Sequence, residues 1–175
     1  DHGCHFRTRN SECKRSCHES SIRIPLIIGG AVEKKGTVKN MAQLIDIPRT
    51  ILEIGNVNIP ENFRGKNLFK IADGEEKHEE IFVQISESMV ARAIRTERWK
   101  YCVLAPDKKG TQDSFSTRYI EYQLYDLYSD PYELVNLAGR NEYKEISRNL
   151  REKLKEKIKE TEGIDVEIEE AKFYP

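Results

Sequence analysis

At 175 residues, with 34% charged and 38% hydrophobic side chains and a formal net charge of -1, the chain has the make-up of a soluble protein able to bury a core. Charge this balanced excludes a chain-wide attraction to nucleic acid or to an anionic membrane surface. No apolar run approaches the roughly eighteen residues of a membrane span, the longest lying at 24–28.

Residues 1–23 are polar, with five basic residues (Arg7, Arg9, Lys14, Arg15, Arg23) against three acidic ones (Asp1, Glu12, Glu19). With no initiating Met and no basic segment leading into an apolar one, the start reads as cut, so secretion is not judged from it and the compartment stays unassigned, cytoplasmic being only the default guess. Next, the β-branched run at 22–28, closed by Gly29 and Gly30, predicts a buried strand and turn. Asn40 is placed to cap a helical segment carrying Met41, Leu44, Ile45, Ile51, Leu52 and Ile54, with Gly55 past its end. Pro48 interrupts that segment and Asp46 can cap a second helix, so two short helices or one kinked helix are expected. Residues 56–80 read as connection.

Alternation at 80–86, 90–95, 99–104 and 119–128 predicts a four-stranded antiparallel sheet. Ile146, Leu150, Leu154 and Ile158 then recur every four residues in a Lys/Glu/Arg background, predicting a helix that lays one buried stripe on the sheet. The acidic tail from Ile164 is expected to be irregular. The fold class is thus α+β, divided at 1–72 and 73–175.

Three of the four cysteines and three of the four histidines fall in the first eighteen residues. Cys4, His5, Cys13, Cys17 and His18 could ligate zinc, but C-x8-C-x3-C lacks the tight pairing of a structural site and finds no partner pair later. Four cysteines are also too few and too uneven for a disulfide framework, so reduced thiols are expected. The other reading starts from Asp1 and His2, a carboxylate and an imidazole that can reach one divalent metal. Lys14 follows thirteen residues on. Glu19 and Arg23 are expected to pair and fix the loop.

The pattern DHG-x10-K-x4-E-x3-R-x-P, followed by an apolar run, resembles the metal- and anion-binding segment of sulfatases in the alkaline-phosphatase superfamily. The resemblance continues through residues 44–52, through Arg64-Gly65-Lys66-Asn67-Leu68, through the "R-T-x-x-x-K-Y" hairpin at 95–101 and through "L-Y-D-L-x-x-D-P-x-E-x-x-N-L" at 124–137. It implies an α/β, alkaline-phosphatase-like enzyme of which this chain is the C-terminal third or so. Residues 1–72 would close the catalytic domain, and 73–175 would form a C-terminal subdomain.

By the same resemblance Asp1 and His2 bind the divalent metal. Lys14 binds a non-bridging sulfate oxygen as the catalytic cation, and His18 is a candidate contact to substrate. Calcium is the leading metal; the nitrogen of His2 also suits manganese, zinc or iron. The C/S-x-P/A-x-R signature, whose first residue becomes formylglycine, is absent from these residues and is expected in the missing N-terminal portion, which would also be this chain's partner. A sulfate-ester small molecule or carbohydrate is the implied substrate. Phosphonate monoester or phosphodiester hydrolysis is the alternative within the superfamily, and a non-catalytic zinc or interaction module the alternative outside it.

Overall fold

The alternating apolar residues between positions 80 and 126 build a sheet whose strands follow one another in space as in sequence. The computed structural model describes residues 15–30 and 35–172 of the chain. Strands β1 (Glu80–Ser86), β2 (Val90–Thr96), β3 (Trp99–Leu104) and β4 (Arg118–Asp126) lie side by side in that order. The β2–β3 and β3–β4 pairs are antiparallel, with Ala93 opposite Cys102 and Tyr101 opposite Leu124, and a bulge falls between Cys102 and Val103.

Period two then sorts the side chains onto two faces. Val90, Ile94, Tyr101, Val103, Tyr119 and Leu124 share one core with Leu150, Leu154 and Ile158 of helix α4 (Lys144–Glu162). Ala91, Ala93 and Cys102 point to the other face, where they pack with Ile85 and Cys17.

Helix α4 holds the predicted stripe with one exception. Leu150, Leu154 and Ile158 are buried, whereas Ile146 is only half-buried. Its neighbour Ser147 turns inward instead and donates a hydrogen bond to Glu121 Oε1 at 2.7 Å. Satisfying that buried carboxylate displaces the stripe at the helix start. At the other end Gly163 takes the left-handed conformation (φ 73°), and its N–H closes the helix on Lys159 O.

The tail corrects the expectation of irregular structure. Glu167–Glu169 form β5, paired in parallel with β4. A parallel neighbour requires a crossover, and α4 is that crossover. Val166 is buried and Ile168 packs on the core, so the acidic composition hid two inward-facing apolar residues.

Residues 22–30 also depart from expectation. One helical turn, α1 (Glu19–Ile22), precedes a segment with no ladder pairing, in which Leu26, Ile27 and Ile28 are 47%, 92% and 44% exposed. A β-branched run becomes a strand only when neighbouring strands satisfy its backbone, and none of the described strands does so. Two compact units result, one from residues 27–81 and one from the residues up to Leu26 together with Phe82 onward.

In the first of these units the predicted helix shrinks to α2 (Asp46–Ile54), with Pro48 in its first turn. Asn40 caps no helix; its side-chain amide donates to Ile71 O at 2.7 Å. The stretch read as connection holds α3 (Leu68–Asp73), capped by the Asn67 side chain accepting from the Phe69 and Lys70 N–H groups and ended by Gly74 at φ 80°. Gly65 lies so near α2 that a Cβ there would come within 2.1 Å of Ile45 O.

Asp46 is the hub of this unit. It is fully buried; Oδ2 accepts the Gln43 N–H (2.7 Å) and meets His78 Nε2 (2.9 Å), while Oδ1 accepts the Lys66 N–H (2.8 Å). Burial pushes its pKa up, but the bonds from His78, Lys66 and Gln43 outweigh this and hold it below the usual value of 3.8. The unfolded state therefore binds more protons than the folded one as pH falls, and this carboxylate's contribution is complete above 3.8 and lost through the lower folded pKa. Asp46→Ala, which strands two part-buried N–H donors, is expected to cost about 2–3 kcal/mol at neutral pH and less near pH 2, below the unfolded value. Urea unfolding of parent and variant at both pH values checks this; an equal loss at both would contradict it.

Candidate functional site

The sheet face opposite α4 is the scaffold of the candidate site. Strand parity brings Arg95 of β2, Lys100 and Cys102 of β3, and Gln123 and Tyr125 of β4 to this face, with Lys100 opposite Tyr125 and Cys102 opposite Gln123. Residues 15–22 lie across it.

Arg15, Cys17, His18 and Glu19 of that segment each find a holdfast. The Arg15 carbonyl accepts from Ser88 Oγ at 2.8 Å, and its guanidinium meets Glu87 at 3.2 Å. Cys17 is 1% exposed in the apolar cluster with Ile85, Ala91, Ala93 and Cys102. The hydrogen bond with Cys17, followed by burial, pushes the Cys102 thiol well up, so Cys102 remains protonated; both cysteines are free.

His18 lies inside the protein. Its Nδ1 is 2.9 Å from Ser16 Oγ, and its Nε2 lies 3.3 Å from the Tyr125 hydroxyl and 3.4 Å from the Gln123 side-chain nitrogen. The Gln123 amide nitrogen can only donate, which makes Nε2 its acceptor in the neutral ring and leaves Nδ1 to bond with Ser16. As placed, the ring holds the segment on β4.

Glu19 makes the deepest connection. Its N–H donates to Glu133 Oε2 at 2.8 Å, and its carboxylate accepts from Arg95 and Lys100, each at 3.4 Å. The expected Glu19–Arg23 pair is thus replaced: strand cations that the sequence separates by more than seventy residues are nearer. Lys100 Nζ also contacts Glu133 Oε1, and the two side chains are 1% and 2% exposed. Burial draws the Lys100 ammonium down to about 8, against the pull of Glu19 and the two thiols. Glu133 itself stands at φ 56°, a left-handed conformation that a glutamate adopts only where its surroundings enforce it.

Asp1, His2 and Lys14 lie outside the described residues, as do Cys4, His5 and Cys13. Among the described residues no group of three or more His, Cys, Asp or Glu side chains gathers to hold a metal, and no helix is long and apolar enough to cross a membrane. Sequence reasoning gave no role to Lys100, Glu133, Tyr125 or Gln123. Signals were present for three of them: Lys100, Tyr125 and Glu133 are fixed positions of the two matched motifs, and Lys100 is also a charge within the apolar run Trp99-Lys100-Tyr101-Cys102-Val103-Leu104.

Comparison with known proteins bears on this arrangement. The C-terminal domain of N-sulphoglucosamine sulphohydrolase matches residues 12–160 as a family model. Arylsulfatase K of Homo sapiens is 30% identical over 167 residues, covering 88% of this chain and 29% of the relative; that of Bos taurus is 28% identical over 168 residues, covering 89% and 29%. Choline-sulfatase of Rhizobium meliloti (strain 1021) is 30% identical over 146 residues, covering 79% and 26%. The chain therefore spans less than a third of the length of these relatives. Among solved structures, that of BT4656 in complex with its substrate D-glucosamine-2-N,6-O-disulfate superposes with a TM-score of 0.56 at 22% identity, covering 69% of this chain and 24% of that one. A 2-O GAG sulfatase, BT1596, gives 0.52 at 20% identity, covering 71% and 27%. At these identities the structures establish the fold alone, which this chain shares with about a quarter of each of those proteins.

Proposed function

Because the chain belongs to the sulfatases, through the family of the N-sulphoglucosamine sulphohydrolase C-terminal domain, we propose that it is the C-terminal part of a sulfuric ester hydrolase and supplies that enzyme's anion-binding loop. The observation that carries the reading is the anchoring of residues 15–19, directly after Lys14, to three strands and the 130–137 turn. The segment that follows the lysine is thus tied down, and a preorganised cation requires a rigid support of this kind.

In this reading Lys14 binds a non-bridging oxygen of the sulfate ester. Negative charge grows on those oxygens as the ester bond breaks, so an ammonium fixed beside them stabilises the transition state more than the bound ester. Asp1 and His2 donate an oxygen and a nitrogen to a divalent metal, calcium in the leading assignment, whose chemistry is to polarise the ester. Two donors are only part of a metal shell, and the others, with the formylglycine nucleophile, belong to the preceding portion of the enzyme. Residues 1–72 then close the catalytic domain and 73–175 form the C-terminal subdomain.

Exposure supports the reading of a part within a larger whole. Besides Leu26, Ile27 and Ile28, helix α2 turns Ile51 and Ile54 to solvent at 62% and 63%, while burying Asp46 and Thr50. An amphipathic helix with its apolar side outward is built to be covered.

The test compares two proteins. The purified 175-residue chain, given an aryl sulfate and divalent metals, is expected to show no turnover above background, and the intact enzyme to hydrolyse the same ester. Metal-dependent multiple turnover by the 175-residue chain, or an intact enzyme that prefers aryl phosphate or phosphonate, would overturn the assignment. The imidazole of His2, where many sulfatases carry asparagine, is the one feature favouring the phosphoester reading.

A further inference from the structure

Three elements meet at one buried cation. The Lys100 ammonium, on β3, lies between the Glu19 carboxylate of α1 and the Glu133 carboxylate of the 130–137 turn, and the Glu133 carboxylate also accepts the Glu19 N–H at 2.8 Å. Among the described residues, Arg95 of β2, which shares Glu19, and the Cys17 and Cys102 thiols also face the cluster. Removing an ion of this size from water is unfavourable unless its partners are well placed. Here they come from segments 81 and 33 positions away in the chain (Lys100 to Glu19 and to Glu133).

Two residues at the edges of this arrangement are held in left-handed backbone conformations, Glu133 at φ 56° and Arg15 at φ 77°. Arg15 directly follows Lys14. Strain of this kind persists when packing around it leaves no alternative, and here the packing is that of the segment on the sheet.

We propose that Lys100 is a positioning residue that acts through Lys14: its ammonium, bridging Glu19 and Glu133, fixes on the sheet the backbone that directly follows Lys14. Lys100 is sealed from solvent and acts through the loop. The inference rests on the sulfatase reading only for the task of Lys14. That the cluster orders residues 15–22 stands on the contacts alone.

The experiment has two arms. In the 175-residue chain, hydrogen exchange read by mass spectrometry is expected to speed up about tenfold or more over residues 15–22 in Lys100→Met, while α4 keeps its protection as evidence of an intact fold. Should Lys100→Met lose the α4 protection too, Glu133→Gln, which keeps an acceptor for the Glu19 N–H, carries the same expectation at smaller size. In the intact enzyme, Lys100→Met is expected to lower kcat about tenfold with KM changed less than about threefold, and to cost nothing further once Lys14 is alanine.

Unchanged exchange over 15–22 would overturn the ordering role. An equal fractional loss of kcat with Lys14 present and absent would overturn the action through Lys14. An intact enzyme inactive on every ester sulfate would instead overturn the function proposed above, and the exchange arm would still decide the ordering role.

Discussion

Lys14→Ala in the intact enzyme is expected to lower kcat/KM for an ester sulfate by about 100-fold or more, the scale of losing one preorganised donor to a developing oxyanion. The loss should fall mainly on kcat, because the bound ester holds less charge on its non-bridging oxygens than the transition state does. Lys14→Arg should recover only part, since a planar guanidinium cannot stand in the compact place of an ammonium. Cys13→Ser and Cys17→Ser supply the contrast. Cys17 packs among Ile85, Ala91, Ala93 and Cys102, so serine there should weaken the fold slightly and leave activity per folded molecule within a few-fold. Steady-state kinetics on the four variants decides: cysteine variants that lose metal and activity, beside a Lys14→Ala that keeps both, would make the opening stretch a zinc site.

Leu154→Ala is expected to destabilise the chain by about 3–5 kcal/mol, the upper range for emptying a leucine site. Leu154 is 0% exposed and stands in the middle of the α4 stripe, against the core formed by Val90, Ile94, Tyr101, Val103, Tyr119 and Leu124. A sheet cannot easily sink toward the vacated space, because its ladder fixes the strands on both sides. Ile146→Ala, at the half-buried end of the same stripe, should cost about 1 kcal/mol or less by area lost from water. Urea unfolding of the two variants side by side checks the ordering; equal losses would show that the stripe is loosely packed along its length.

What could be read from the chain and what could not divides along a physical line. Strands β1 to β4 and helix α4 were legible because each buries one face against an element close by in sequence, and burial writes itself as a period. The apolar run at 22–28 carried the composition of a strand, but a strand is a property of a pair, and no described strand pairs with it. Helix α3 was passed over although Asn67 and Gly74 mark its two ends, since six residues are too few to display a period. At the site, sequence offered the pattern that links Asp1, His2, Lys14 and Glu19 through family resemblance. It offered no means of knowing that Glu19 would find Lys100 and Arg95 in place of Arg23, because local spacing favours the near partner and only the tertiary fold brings the far ones closer.

The separations just named also set an order of events. Strands β1 to β4 pair with immediate neighbours, so the meander closes short loops and forms early. The segment at 15–19 is different: it meets Ser88 across 73 positions, Tyr125 across 107 and Glu133 across 114. Closing so long a loop is entropically opposed and is rewarded only once the landing surface exists. The 15–19 segment should therefore dock last, onto a finished sheet. Pulse-labelled exchange during refolding would then show β2 and β3 amides protected before those of 16–22, and simultaneous protection would contradict it. A chain caught between the two steps would be folded by most optical measures and still lack its site.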